Sequence, residues 1–151
     1  MEKISDIKTL TEEELKNWLK EVGEKPFRAD QIRNRLFCGQ VKSFNEMETI
    51  PAALREKLSA NFRITSLEEA KRLISVDGTV KWLYQTHDGH HIETVLIPTN
   101  DRFSVCVSTQ IGCAQNCAFC RTAKMGFIRN LEAGEILEEI IRVNWYLEET
   151  G

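Results

Sequence analysis

Cys113, Cys117 and Cys120 stand in a C-x3-C-x2-C array, which gathers three of the chain's five cysteines within eight residues. An apolar run that reads as a strand precedes the array, and a run that reads as a helix follows it. Thiolates spaced in this way can turn inward from one loop onto one centre. Three of them hold three irons of a cubane 4Fe–4S cluster and leave the fourth iron open, whereas structural zinc normally takes four protein ligands in a closed tetrahedron. An open iron implies a substrate or cofactor that binds there. The plainer alternatives are zinc or buried thiols.

Other side chains have both a chemical and a plain reading. Cys106 lies seven residues before Cys113 in an apolar run, where a cysteine commonly serves as a small buried hydrophobe. Glu93, thirteen residues before Cys106, is either a solvent-facing strand glutamate or, in a dry pocket, a carboxylate whose raised pKa suits proton transfer. His87, His90 and His91 surround the Asp88-Gly89 turn, where histidines are usually exposed polar residues rather than ligands. Arg121, Lys124 and Arg129 flank the cysteine loop and either meet a phosphate or stand in solvent. Trp18, Trp82 and Trp145 fit core positions, and Cys38 fits packing at a helix end.

These groups need elements to place them. Thr11 and Glu14 form a capping-box pattern that opens a helix with Leu15, Trp18, Leu19 and Val22 on one face and Gly23 as its stop. A second helix is predicted over Arg28–Phe37, with Ile32 and Leu36 inward. Ser43 and Glu46 make another capping box, and Pro51 begins a third helix carrying Leu54 and Leu58. From about Ala70 to Pro98 the period changes. Asp77-Gly78 and Asp88-Gly89 are tight-turn signals, which predicts a three-stranded meander. Residues 1–98 therefore read as an α+β accessory domain, a helical bundle plus antiparallel strands, with Pro98–Arg102 as a linker out of it. Phe103–Ser108 reads as a buried parallel strand feeding the cysteine loop. After the loop, a helix from near Leu131 shows Ile136, Leu137, Ile140, Ile141 and Leu147 as its apolar face, with Glu135, Glu138, Glu139 and Arg142 polar. Residues 99–151 thus read as one β/α unit, which cannot bury both faces of a parallel strand by itself.

Composition narrows the class. At 151 residues and 42% hydrophobic, the chain has enough apolar material for a globular core. There is no apolar run of roughly 18 residues and no secretory pattern, so no membrane span is expected and a cytoplasmic location follows by default. Five cysteines, three of them clustered, suit a reducing compartment better than a disulfide scaffold. The net charge of −3 carries no global sign of nucleic-acid binding. Locally the balance shifts: residues 20–63 hold nine Lys/Arg against six Asp/Glu, and residues 101–131 hold four against one. Such charge can be focused on a partner, although it is more often a solvated face.

The cysteine array resembles that of radical S-adenosylmethionine (SAM) enzymes. Its surroundings, Cys106-Val-Ser-Thr-Gln-Ile-Gly-Cys113, Phe119-Cys-Arg-Thr-Ala-Lys-Met-Gly-Phe-Ile-Arg-Asn-Leu131 and Gly134-Glu-Ile136, resemble the RlmN/Cfr family. So do Phe27–Ile32, Phe44–Leu58 and His91–Pro98, in the same order. The resemblance implies an enzyme that methylates adenine in 23S rRNA and in tRNA. It implies a 4Fe–4S cluster on Cys113, Cys117 and Cys120, with SAM on the open iron and Phe119 beside its adenine. Glu93 matches a general base, and Cys106 a resolving cysteine. In the resembled mechanism a cysteine near the carboxyl end is methylated, its methyl radical adds to carbon 2 of adenine, and Cys106 forms a disulfide with that cysteine to release the RNA. An electron donor such as flavodoxin or ferredoxin is implied too.

The family continues through a partial TIM barrel, and its glycine-rich SAM segment and methylated cysteine do not occur in these 151 residues. The chain is accordingly expected to be the amino-terminal part of such an enzyme, with the first β/α unit of a truncated radical SAM barrel, and to be inactive by itself. Thr94-Val-Leu-Ile-Pro98 looks more like the RlmN branch than the Cfr branch, whose members methylate carbon 8. The remaining alternative is a non-catalytic RNA-binding module with a structural zinc.

Overall fold

The computed structural model describes residues 5–115, 117–120 and 122–150. The chain divides into two compact units, one ending at Thr65 and the other starting at Ser66.

The first unit comprises β1 (Ser5–Asp6), α1 (Glu12–Glu21), α2 (Arg28–Phe37), α3 (Ala52–Asn61) and β2 (Phe62–Arg63). The capping box forms as its residues require: the Glu14 N–H donates to Thr11 Oγ1, and the Glu14 carboxylate accepts from the Thr11 N–H at 2.7 Å. Leu15 and Leu19 of α1 meet Ile32 and Leu36 of α2 and Leu54 and Leu58 of α3 in one closed apolar core. β1 pairs parallel with β2. The buried Asp6 carboxylate secures their ends, accepting from the N–H groups of Lys8 at 2.8 Å and Thr65 at 2.9 Å. Cys38 is exposed rather than packed at the end of α2.

The second unit begins with a four-stranded antiparallel sheet in the order β3 (Glu68–Ile74), β4 (Val80–Gln85), β5 (His91–Pro98), β6 (Phe103–Cys106). Its first two turns close on Gly78 and Gly89, with φ of 82° and 81°, values that glycine reaches without a Cβ clash. Alternation gives the sheet two unlike faces. Val80, Trp82, Tyr84, Ile92, Thr94 and Leu96 are buried, and Trp82 meets Tyr146 of α4 (Ala133–Thr150) edge to face at 5.2 Å. Lys81, Glu93 and Cys106 on the opposite face are exposed. Between β6 and α4 in the chain comes a second, two-stranded antiparallel sheet, β7 (Gln110–Gly112) with β8 (Phe127–Asn130).

Two expectations are corrected here. Phe103–Ser108 is not a buried parallel strand: β6 runs antiparallel to β5 and is exposed throughout. The connection explains it, because Thr99–Arg102 is a tight turn in which the Thr99 N–H donates to the Arg102 carbonyl at 2.8 Å. A parallel return needs a crossover of a dozen or more residues. Secondly, the acidic positions of α4 are not its solvent side: Glu135, Glu138 and Glu139 are 1%, 2% and 0% exposed, while Ile140 is 40% exposed. The strands on either side of residues 98 and 99, β5 and β6, belong to one sheet, joined by the Thr99–Arg102 turn.

Candidate metal and catalytic site

The cysteine loop is built on the β7–β8 pair. Gly112 ends β7 at φ 72°, and a Cβ there would lie 1.6 Å from the Gly126 carbonyl oxygen, so only glycine allows the two ends of the loop to close. The Cys113 N–H then donates to that carbonyl at 3.2 Å, and the Leu131 N–H donates to the Thr109 carbonyl at 2.9 Å. Within the loop, the Cys120 N–H donates to the Cys117 carbonyl at 3.1 Å, a turn that brings those two residues close. Cys113, Cys117 and Cys120 are partly exposed and not bridged by a disulfide, and Gln110 Nε2 lies 3.8 Å from Cys113 Sγ. Phe119 is 93% exposed. Arg121 lies outside the described residues.

Among the described residues, no three His, Cys, Asp or Glu side chains are gathered as a metal would require. The donor set nevertheless fits an iron–sulfur cluster. Three thiols on one loop with a closed base are the ligands such a cluster takes while leaving one iron open. The cluster turns of Cys113, Cys117 and Cys120 would have to draw inward for it.

Glu93 and Cys106 come together through strand register. Val95 faces Cys106 across the β5–β6 pair, so Glu93 projects from the same sheet face, diagonally offset, with the two residues roughly 7–8 Å apart. Glu93 Oε1 is paired with Lys81 Nζ at 2.6 Å, and its carboxylate is half exposed rather than in a dry pocket. A cavity of about 180 Å³ is lined by residues of this face and of the cysteine loop. Leu83, His91, Glu93 and Ser108 line it on one side, and Gln110 and Thr122 on the other. His87 and His90 remain at the turn, without a metal-like grouping among the described residues.

Arg129 does not stand free to meet a ligand. Its guanidinium donates to Asp88 Oδ2 at 2.7 Å and to Glu135 Oε2 at 2.8 Å, which ties β8 to the β4–β5 turn and to α4. These bonds hold the Asp88 carboxyl well below the usual carboxylate range. For Glu135, burial works upward, but the bonds from Arg129 and from the Glu132 N–H, with the nearby positive charge, together outweigh it and the pKa falls. His87 Nδ1 lies 3.7 Å from Glu135 Oε1 at the rim of the same network. Lys124 remains exposed.

Glu139 was not singled out by the sequence. Burial pushes its carboxyl up to about 7, against the opposing effect of hydrogen bonds from Thr94 Oγ1 and the Ser108 N–H. A sequence signal existed: Glu135, Glu138, Glu139, Arg142, Val143 and Tyr146 recur at the helical spacing that marks one face. Charge made that stripe look solvated, whereas Arg129 and Arg142 neutralise part of it inside.

Residues 5–64 match the family described as "Ribosomal RNA large subunit methyltransferase N-terminal domain". The dual-specificity RNA methyltransferase RlmN of Anaeromyxobacter dehalogenans is 46% identical over 97% of this chain and 39% of its own length. The probable RlmN of Bacillus velezensis is 49% identical over 91% of the chain and 38% of its own length. The crystal structure of a radical SAM methyltransferase from Sphaerobacter thermophilus is similar with a TM-score of 0.86 at 37% identity, covering 97% of this chain and 43% of that one. The chain thus spans about two fifths of the length of these relatives, and it is similar to the amino-terminal part of RlmN radical SAM methyltransferases.

Proposed function

We propose that this chain forms the amino-terminal portion of a cytoplasmic enzyme that methylates carbon 2 of adenine in 23S rRNA and tRNA, receiving electrons from a flavodoxin or ferredoxin. The observation that carries the reading is the placement of Glu93 and Cys106 on one sheet face, with Glu93 lining a cavity shared with the cysteine loop. Residues 1–98 serve as the accessory, RNA-facing part, and residues 99–151 open the radical SAM core as the first part of a partial TIM barrel.

Cys113, Cys117 and Cys120 would hold a 4Fe–4S cluster, which when bound supplies the electron that cleaves SAM. Phe119, exposed on the same loop, packs against the SAM adenine. Glu93 accepts a proton from the substrate adenine, with Lys81 steadying its charge. Cys106 Sγ, exposed and unbridged, attacks as thiolate the sulfur of the crosslink between the RNA and a cysteine outside these residues; the disulfide forms as the carbon–sulfur bond breaks, and its electron pair leaves with the methyl carbon of the adenine, which takes up a proton.

The test is anaerobic reconstitution with iron and sulfide, followed by iron counting and electron paramagnetic resonance with and without SAM. About four irons per chain are expected, lost in Cys117→Ala, with a spectrum that changes when SAM is added. Tight zinc binding with no cluster would favour a structural RNA-binding module instead. In the full-length protein, a methyl group on carbon 8 rather than carbon 2 of adenine would move the assignment to the Cfr reaction.

A further inference from the structure

Glu139 is fully buried in the middle of α4, yet no step of the proposed reaction uses it. Its Oε2 accepts hydrogen bonds from Thr94 Oγ1 and from the Ser108 N–H, the latter at 3.0 Å. Both donors adjoin the candidate catalytic residues: Thr94 follows Glu93 on β5 and points to the opposite face, and Ser108 lies two residues after Cys106. Ser108 Oγ also donates to the Glu93 carbonyl at 2.8 Å. One carboxyl group on the covered side of the sheet therefore binds the backbone of one site residue's neighbour and the side chain of the other's.

We propose that Glu139 is a positioning residue, clasping the segment after Cys106 to β5 and thereby setting where the Cys106 thiol stands relative to the Glu93 carboxylate. Its consequence for catalysis rests on the roles proposed above for those two residues; the clasp itself does not. Within the clasp Oε2 is the acceptor for both donors, and buried Oε1 has no hydrogen-bond partner among the described residues, which makes it the natural seat of a proton. The charged neighbours agree with a group that ionises late. Glu135, one helical turn earlier, opposes ionisation and is itself held by Arg129 of β8. Glu138 is occupied by Arg142 on the same helix. From β5 and from the segment after β6 the facing groups are the uncharged Thr94 and Ser108, while His91 and Glu93 alternate onto the other face.

Glutamine reproduces the Oε2 acceptor without a titrating proton, whereas leucine removes it. Three readouts on the 151-residue chain, none requiring iron, SAM or RNA, test the clasp. The Ser108 amide resonance should titrate with a midpoint near pH 7, become flat in Glu139→Gln, and move to a higher midpoint in Thr94→Val, which removes one bond that favours the charged form. Hydrogen-exchange protection of the Ser108 amide should fall on the order of tenfold in Glu139→Leu and stay within about twofold in Glu139→Gln. Alkylation of Cys106, normalised to exposed Cys38 in the other unit, should change severalfold in Glu139→Leu and not in Glu139→Gln. If Glu139→Leu does not fold, the Gln and Val variants carry the test through the titration. A Ser108 amide that does not titrate in the wild type, or that titrates equally in Glu139→Gln, overturns the proposal. An unchanged Ser108 protection and Cys106 reactivity in a folded Glu139→Leu would overturn it as well. Failure of cluster assembly would count against the enzyme reading and leave these results standing.

Discussion

The two compact units solve burial in opposite ways. In the first, α1, α2 and α3 turn leucine and isoleucine inward, and the buried charged residues Asp6 and Lys8 lie before α1 in the chain rather than on these helices. In the second, α4 turns Glu135, Glu138 and Glu139 inward beside Val143, and Arg129 and Arg142 reach in to meet the first two. A core of alkyl side chains tolerates shape errors gradually, because each lost methylene costs only its own share. A core containing carboxylates depends on each partner, since removing one leaves a charge stranded in a medium that does not solvate it.

That contrast can be broken most severely at Arg129. Arg129→Met leaves Glu135 buried without its partner and should cost about 4 kcal/mol, with Asp88 released from the β4–β5 turn as well. Denaturant unfolding followed by the fluorescence of Trp82, which belongs to the second unit, would read this loss. The double variant Arg129→Met with Glu135→Leu should recover much of it, because no charge is then stranded. In the first unit, Leu19→Ala should cost about 3 kcal/mol through its cavity, and no second substitution of a charged residue should rescue it. A rescue in the first unit, or none in the second, would erase the distinction.

The same contrast decides what could be read from the sequence. In the first unit local signals and packing agree: the Thr11–Glu14 box opens α1, and apolar spacing bounds α2 at Arg28 and Phe37 as expected. The hairpin turns at Gly78 and Gly89 were legible for the same reason, since a tight turn states its own chemistry. Failures came where the answer is non-local. A short apolar run such as Phe103–Cys106 reads alike for a central parallel strand and an edge antiparallel one, and the turn at Thr99–Arg102 decides between them. The β7–β8 pair escaped notice because its strands are three and four residues long and meet across the whole cysteine loop. The identities of the candidate ligands were open in the sequence; that Glu93 and Cys106 share one sheet face needed the register.

A gentler way to sharpen the comparison is to vary pH. Glu139 has a folded pKa of about 7, above the usual 4.5, so the folded protein binds more protons than the unfolded chain between those values. Stability should therefore fall as pH rises from about 4.5 to about 7, by roughly 3 kcal/mol, and stay level above that as far as Glu139 is concerned. Asp88 acts in the opposite sense, losing its contribution as pH drops through the acid range below 4, outside that window. Urea unfolding of Glu139→Gln should show the decline removed, with the first unit's transition indifferent to both changes.

The smallest effect belongs to the first unit and tests whether its stability is as local as its sequence signals. Thr11→Ala deletes the side-chain acceptor for the Glu14 N–H and frees the Glu14 carboxylate from the Thr11 hydroxyl, at a cost of about 1 kcal/mol. The cap is exposed, so water can take over both groups and no stranded charge results, which is why the cost stays far below that at Arg129. Amide exchange should quicken in the first turn of α1 and leave the Ser108 and Leu131 amides of the second unit unchanged. Loss of protection reaching those amides would mean that the units share one unfolding transition, and that the alkyl core and the carboxylate core stand or fall together.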